Sequence, residues 1–323
     1  MEVLYPLRFR PLFRRYIWGG RRLGTLLGKP IGPEDDYAES WEICDRGLDQ
    51  SVVQWGWLAG VTLGQLVRER GGELLGRHHP QERFPLLLKL LDAHRTLSVQ
   101  VHPDDARAAR LDPTDLGKTE AWVVLAADPG GTIYAGLKPG VGREALAEAI
   151  RQRTCQQLLH QFQPEVGDCV FLPAGTVHAL GEGLLVAEIQ QASDTTYRLF
   201  DWNRLGPEGK PRPLHVEQGL EAVDYDRGPV GPQRPQETGG PGVSRLVECD
   251  KFVLDRWLFD VSQPAGGDRR CHIIAVLEGS LRVGRDPTDS AIPPGGTVLL
   301  PAALGRVELT PQGSAVLLDA YLP

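Results

Sequence analysis

Between residues 97 and 120 the chain reads LSVQVHPDDARAARLDPTDLGKTE, and few folds accommodate that order of groups. Over 96–102, Ser98, Gln100 and His102 alternate with Leu97, Val99 and Val101. A strand therefore puts the polar groups on one face and the aliphatics on the other. A solvent-facing strand would carry Lys, Glu or Thr there, whereas Gln and His two apart beside a short serine suit coordination. Pro103 stops the ladder, residues 104–116 read as a helix, and Gly117 breaks it. Lys118 and Glu120, again two apart, open the next strand through Trp122. An amide oxygen, an imidazole, a carboxylate and an ammonium are thus aimed at one spot, and mixed N and O donors suit a borderline divalent ion such as zinc. A buried polar cluster satisfied by hydrogen bonds is the competing explanation, and a third ligand decides between them.

That ligand occurs in VGDCVFLPAGTVHAL, residues 166–180. Gly167, Pro173, Gly175 and His178 fit the spacing G-x5-P-x-G-x2-H, which resembles the second sequence motif of the cupin superfamily. In that superfamily the glycines and proline form a turn that delivers the histidine into a small β-barrel. The expected metal site is His102, Glu120 and His178.

The rest of the chain supplies candidates for one pocket. In FPLLLKLL, residues 84–91, Lys89 interrupts an apolar strand, and an ammonium there is costly to bury unless it reaches solvent or an anion. Tyr37 to Cys44 reads as a strand with Glu39, Trp41 and Ile43 on one face. Residues 65–75 and 142–162 have helical spacing, and 215–222 reads as a short helix. In LLVAEIQQASDTTYR, residues 184–198, Glu188 and Gln190 share a strand face, and a turn at Ser193 and Asp194 reads as a hairpin returning Arg198 towards the metal.

Residues 228–240, GPVGPQRPQETGG, are too rich in Pro and Gly to build a core. Short strands separated by Gly and Pro turns then run from Val243 to the end. Gly295 and Pro301 repeat the spacing of Gly167 and Pro173, but Arg306 stands where His178 would fall. The expected architecture is mainly β, with two cupin-type β-barrels (jelly rolls) and a few helices. A catalytic domain spans 1–227 and carries the metal site, a linker spans 228–242, and a degenerate barrel without metal ligands spans 243–323.

A formal net charge of -7 without long like-charge blocks argues against a nucleic-acid surface. No apolar run reaches the length of a membrane span, and MEVLYPLRFR lacks the apolar core of a signal peptide, so the expectation is a cytoplasmic protein without a membrane partner. Cys44, Cys155, Cys169, Cys249 and Cys271 form no C-x-x-C pair and read as reduced, mostly buried residues.

Taken together, WGG at 18–20, FPLLLKLLDA at 84–93, LSVQVHPDD at 97–105, GKTEAW at 117–122, PAGTVHALG at 173–181 and SDTTYRLFDW at 193–202 resemble type I mannose-6-phosphate isomerase, in its short bacterial form. The resemblance implies one zinc ion per chain, held by His102, Glu120, His178 and Gln100, with the glutamine able to stay outside the coordination shell. It implies Arg198 as the catalytic arginine, Glu188 as a proton-transfer carboxylate, and Lys89, Ser98 and Lys118 as pocket residues, with Lys118 also in the chemistry. A phosphorylated hexose is the implied substrate, and a monomer or homodimer the expected assembly.

The chemistry fits from below. Aldose-ketose interconversion removes a proton beside a carbonyl and returns it one carbon away, through an enediol whose oxygens need positive partners. A carboxylate shielded from water, such as Glu188, supplies a base near neutral pKa, and Lys89 with Lys118 supply cations at the pocket mouth for the phosphate. Competing classes are a cupin iron-dependent oxygenase and a non-catalytic sugar-binding cupin. The combination of Glu188, Arg198 and Lys118, which binding alone would not need, favours the isomerase.

Overall fold

The apolar run around Lys89 forms the strand Leu86–Ala93, and every side chain in it is buried. Burial on both faces requires a layer on either side. The structure, a computed structural model that describes residues 2–111, 115–206 and 208–323, supplies both layers. This strand lies in an antiparallel six-stranded sheet whose order is Cys169–Leu172, Glu120–Ala127, Leu184–Gln191, Leu86–Ala93, Tyr37–Ile43 and Leu12–Gly20. Facing it is a five-stranded sheet ordered Leu159–Phe162, Ile133–Leu137, His178–Leu180, Val99–Val101 and Tyr197–Phe200. Leu91, Trp122, Val124 and Val186 of the first meet Ile133, Ala135 and Leu180 of the second in a shared core.

The other face of the six-stranded sheet packs against the C-terminal half. Leu86, Leu88, Leu90, Ala121, Val123, Ala187 and Ile189 share one core with Leu254, Ile273, Ala275, Leu318 and Ala320. The C-terminal half repeats the two-sheet plan. Its six-stranded sheet runs from Gln236–Glu237 to Thr297–Leu300, and its three-stranded sheet pairs Arg306–Pro311 with Gln263–Gly266 and Leu281–Val283. The chain is mainly β with few helices, as expected. Among the described residues no sheet closes on itself, so each half is a pair of facing sheets. Helices Arg143–Arg151 and Val216–Ala222 cover the back of the five-stranded sheet through Leu146, Ile150 and Leu220.

Several local expectations change. The helix expected over 142–162 ends at Arg151, because Arg153 turns to φ 61° and Leu159–Phe162 pairs with Ile133–Leu137 instead. The helix expected over 104–116 is Asp105–Leu111, and residues 112–114 fall outside the described residues. Ile43 does not share a face with Trp41, since a register shift between them pairs Ile43 with Leu88 and turns it towards the inter-half core. Nor do the strands around Glu188 and Arg198 form a hairpin. Leu184–Gln191 and Tyr197–Phe200 lie in different sheets, so the chain crosses the sandwich between them.

Residues 228–242 are not a free tether: Val230 N–H donates to Ala135 O at 3.0 Å and Gln233 N–H to Cys169 O at 2.7 Å, along the edge of the first half. In the second half Arg306 is exposed and begins the central strand of its small sheet. Nearby, His272 is clamped between carboxylates, with Nδ1 2.9 Å from Asp319 and Nε2 3.1 Å from Asp268. Both ring nitrogens must donate, so the ring is an imidazolium. Burial alone would lower its pKa, but Asp319 and Asp268 prevail and push it up to about 10.

A folded pKa above the ordinary 6.5 means that this contribution is complete below 6.5 and is lost as pH rises through about 10. Chemical denaturation of His272→Leu at pH 6 is expected to show a loss of about 3–5 kcal/mol, because Asp319 is left buried without its partner. The difference from wild type should shrink towards pH 10 while metal content is unchanged. A pH-independent difference would show that the pair is not what stabilises this half.

Candidate active site

Two rows of side chains face one another across the first sandwich. On the six-stranded sheet, Trp41, Lys89, Glu188 and Trp122 are consecutive register partners across neighbouring strands. On the five-stranded sheet, His178 and Arg198 both pair with Gln100. Strand alternation explains the rows: Leu88 and Leu90 turn to the inter-half core while Lys89 turns inwards, and Tyr197 and Leu199 turn to the helices while Arg198 turns inwards. Between the rows opens a cleft of about 280 Å3, lined by Lys89, Ser98, Gln100, Lys118, Glu188 and Arg198 among others.

Against Gln100 and Lys118 of this lining, His102, Glu120 and His178 are buried, with one ligand atom from each within 4.8 Å of the others. No other such His, Cys, Asp and Glu group occurs among the described residues. Backbone carbonyls orient the rings. His178 Nδ1 donates to Thr176 O at 2.9 Å and His102 Nδ1 to Thr195 O at 3.0 Å, which leaves both Nε2 lone pairs pointing inwards. The turn that carries His178 is tied to the other ligand strand, since Gly175 N–H donates to His102 O at 2.9 Å. Gly175 has φ 85°, and a Cβ there would meet Ala222 O and Asp224 N at 3.1 Å, so the motif glycine is required on both counts.

Burial lowers the His178 pKa to about 4 and drives that of His102 well below its ordinary value, so both rings are neutral. Glu120 Oε1 accepts no hydrogen bond, yet it lies 3.2 Å from the bare His178 Nε2. Two lone-pair donors facing each other with no proton between them are repulsive, and a cation there satisfies both. The donor set fits a divalent metal of the zinc type. Gln100 directs its amide nitrogen to His178 Nε2 at 3.3 Å, while its oxygen faces Ser98 Oγ at 3.5 Å. Only a half-turn of the amide would present the oxygen to the cluster.

The two lysines are on the floor rather than at the mouth. Lys118 donates to Glu120 and lies 3.1 Å from His102 Nε2, while Lys89 lies 3.6 Å from Glu39, 3.7 Å from Glu188 and over the Trp41 ring at 4.7 Å. Lys89 is only 3 % exposed, and although burial disfavours its charge, the surrounding carboxylates raise its pKa. Of the two ways to accommodate such an ammonium, Lys89 reaches anions rather than solvent.

Glu188 accepts from Trp122 Nε1 at 2.8 Å, and its other oxygen has no hydrogen-bond donor. Burial pushes the Glu188 carboxyl up, but Lys118 and Lys89 outweigh it and hold the pKa below the ordinary value. Glu188 is thereby held in the carboxylate form. Glu120 moves the other way, raised by burial despite Lys118.

Arg198 enters from the opposite wall. Its Nη1 donates to Pro213 O at 2.8 Å, while its buried Nε has no partner. Burial, with Arg212 and Arg204 nearby, disfavours its charge, but a guanidinium stays protonated. Arg212, Glu39, Asp194 and Tyr16 also line the cleft and were not singled out as site residues in the sequence. Arg212 is fixed by Asp201 at 2.6 Å and 2.7 Å, so its position depends on a loop contact that no strand period encodes. A larger cavity, about 990 Å3, lies where the two halves part near Leu125, Leu258 and Val316, and none of the expected site residues lines it.

Comparison with known proteins agrees with this geometry. The sequence family described as phosphomannose isomerase type I, catalytic domain, matches residues 7–120. A mannose-6-phosphate isomerase of Bacillus subtilis (strain 168) is 36% identical over 324 residues, covering 98% of this chain and 99% of its own. One from Streptococcus mutans is 34% identical over 92% of both chains. The crystal structure of the mannose 6-phosphate isomerase from Bacillus subtilis superposes with a TM-score of 0.90 at 30% identity, covering 99% of this chain and 100% of that one.

Proposed function

The chain belongs to the type I phosphomannose isomerase family, and on that premise we propose that it interconverts mannose 6-phosphate and fructose 6-phosphate by proton transfer through an enediol. One observation carries the reading at the level of the site: the inward lone pairs of His102, Glu120 and His178 touch Gln100 and Lys118, which line one cleft with Glu188, whose open oxygen is unclaimed, and Arg198, whose Nε–H has no partner. Metal chemistry, a carboxylate base and a fixed cation are the parts an aldose-ketose isomerase needs. An oxygenase needs no such base and cation pair.

We assign zinc to the His102, Glu120 and His178 cluster, with Gln100 as a further donor from the same strand. When bound, the ion supplies positive charge to the substrate oxygens that become anionic in the enediol. Glu188 is a carboxylate at neutral pH and takes the proton from C2 and returns it to C1, held in place by Trp122. Being a weak base, it depends on the enediol oxygens being stabilised as the proton leaves. Arg198 provides that from the opposite wall, and Lys118, against Glu120 and 3.9 Å from Glu188, relays protons between the oxygens. Ser98 and Lys89 contact the sugar along the floor.

With both lysines buried on the floor, Arg212 is the cation left for the phosphate. Arg212→Ala should raise KM for mannose 6-phosphate by about tenfold or more with kcat nearly intact, the pattern of a contact equal in ground and transition states. The assay follows fructose 6-phosphate formation, with glucose 6-phosphate as control substrate. A lack of mannose 6-phosphate turnover by metal-loaded enzyme would refute the proposed reaction, and an unchanged KM would remove Arg212 from the phosphate site.

A further inference from the structure

Behind the wall that carries Arg198 lies another cavity, about 540 Å3, lined by Arg107, Arg110, Arg143, Tyr197, Glu221 and Tyr225 with four further residues. None of its lining residues is shared with the active-site cleft. Three guanidiniums face one carboxylate, Glu221, on a chain whose formal net charge is -7. Internal pairing accounts for them only in part. Arg107 pairs with Asp104 and Arg143 with Glu217 at 3.5 Å, all four side chains being at least 41% exposed, so both ion pairs are weak and exchangeable, and Arg143 also hydrogen-bonds the Tyr225 side chain within the cavity. Among the described residues Arg110 has no hydrogen-bond or ion-pair partner.

Charge of this kind gathers where an anion is held. Phosphate matches it best, because its oxygens accept forked N–H pairs from more than one guanidinium. The volume suits a small molecule rather than a bare ion. Tyr197 connects this cavity to the chemistry. It precedes Arg198 on the strand Tyr197–Phe200, so strand alternation turns Tyr197 into the cavity as it turns Arg198 into the cleft. The Tyr197 ring packs on His215 at 6.4 Å between centroids, and His215 Nδ1 accepts the Arg198 backbone N–H at 3.2 Å. Tyr197 also pairs with Val101, the residue before His102.

We infer that the arginine-lined cavity binds a small phosphorylated metabolite, and that its occupation changes turnover through the strand that carries Arg198. A ligand pressing on Tyr197 and the helix Val216–Ala222 shifts the position of Arg198 without touching the substrate.

The test uses inorganic pyrophosphate and the full-length, metal-loaded enzyme. Kinetics should separate a competitive effect, from the cleft, and a change in kcat of about twofold or more at saturating mannose 6-phosphate. Calorimetry should show a second binding event besides the one in the cleft. The combined variant Arg107→Ser, Arg110→Ser and Arg143→Ser should keep its basal activity and the competitive effect, and lose both the kcat effect and the second event. Arg110→Glu alone removes no internal contact among the described residues and should weaken the second event by roughly tenfold or more. Purely competitive inhibition, a single binding event in the wild type, or a kcat effect that survives in the variants would each overturn the inference.

Discussion

His178→Ala is expected to yield folded protein with almost no bound divalent ion, and kcat lower by roughly a thousandfold, equivalent to about 4 kcal/mol of transition-state stabilisation. The ring supplies an inward lone pair 3.2 Å from Glu120 Oε1, so its loss leaves His102 and Glu120, both already engaged by Lys118. Two donors compensated by an internal ammonium do not compete well for an ion. Elemental analysis of purified enzyme gives the metal content, and the isomerase assay gives kcat. Chelator-treated wild type, reloaded with zinc, iron or cobalt, identifies the ion that restores turnover. A full complement of metal in His178→Ala would remove His178 from the ligand set.

Arg198→Ala should lower kcat by roughly a hundredfold or more while KM changes little, because in the proposed role its unpartnered Nε meets charge that develops only in the enediol. Arg198→Lys keeps a cation but loses the fork of donors, and should recover only part of the rate. Both variants are expected to retain metal, since Arg198 meets the cluster only through the backbone pairing with Gln100. Wild-type kcat with metal bound in Arg198→Ala would return this side chain to the role of a wall residue held by Pro213, and would leave Glu188 and Lys118 to carry the chemistry.

Much of the site was legible because side-chain alternation needs no knowledge of the fold. His102, Glu120 and His178 lie together where their spacing and the glycine turn placed them, and Lys89 and Glu188 share the expected inward face. Alternation fixes which way a side chain points on its strand, but not which sheet receives the strand. Arg198 therefore reaches the cleft from the opposing wall and not by a hairpin. Ile43 was misplaced for a related reason, since one irregular residue reverses every assignment beyond it. The strand Leu159–Phe162 is built by its pairing with Ile133–Leu137, against its own helical spacing. Glu39 and Asp194 acquire meaning only once Lys89 is seen to need partners inside an apolar wall.

The central strands Leu86–Ala93 and Leu184–Gln191 are buried along their whole length, with one set of positions facing the inside of the first sandwich, where Lys89 and Glu188 line the cleft, and the alternate set facing the C-terminal half. For inheritance this leaves almost no neutral ground there. A change on one side meets the cleft or the core behind it, and a change on the other meets the packing of a partner layer that carries none of the ligands. The second half thus constrains the drift of the first, and new substrate preferences can be explored more freely at the rim and on the opposing wall, where half-exposed side chains such as Thr196 and Arg212 line the opening.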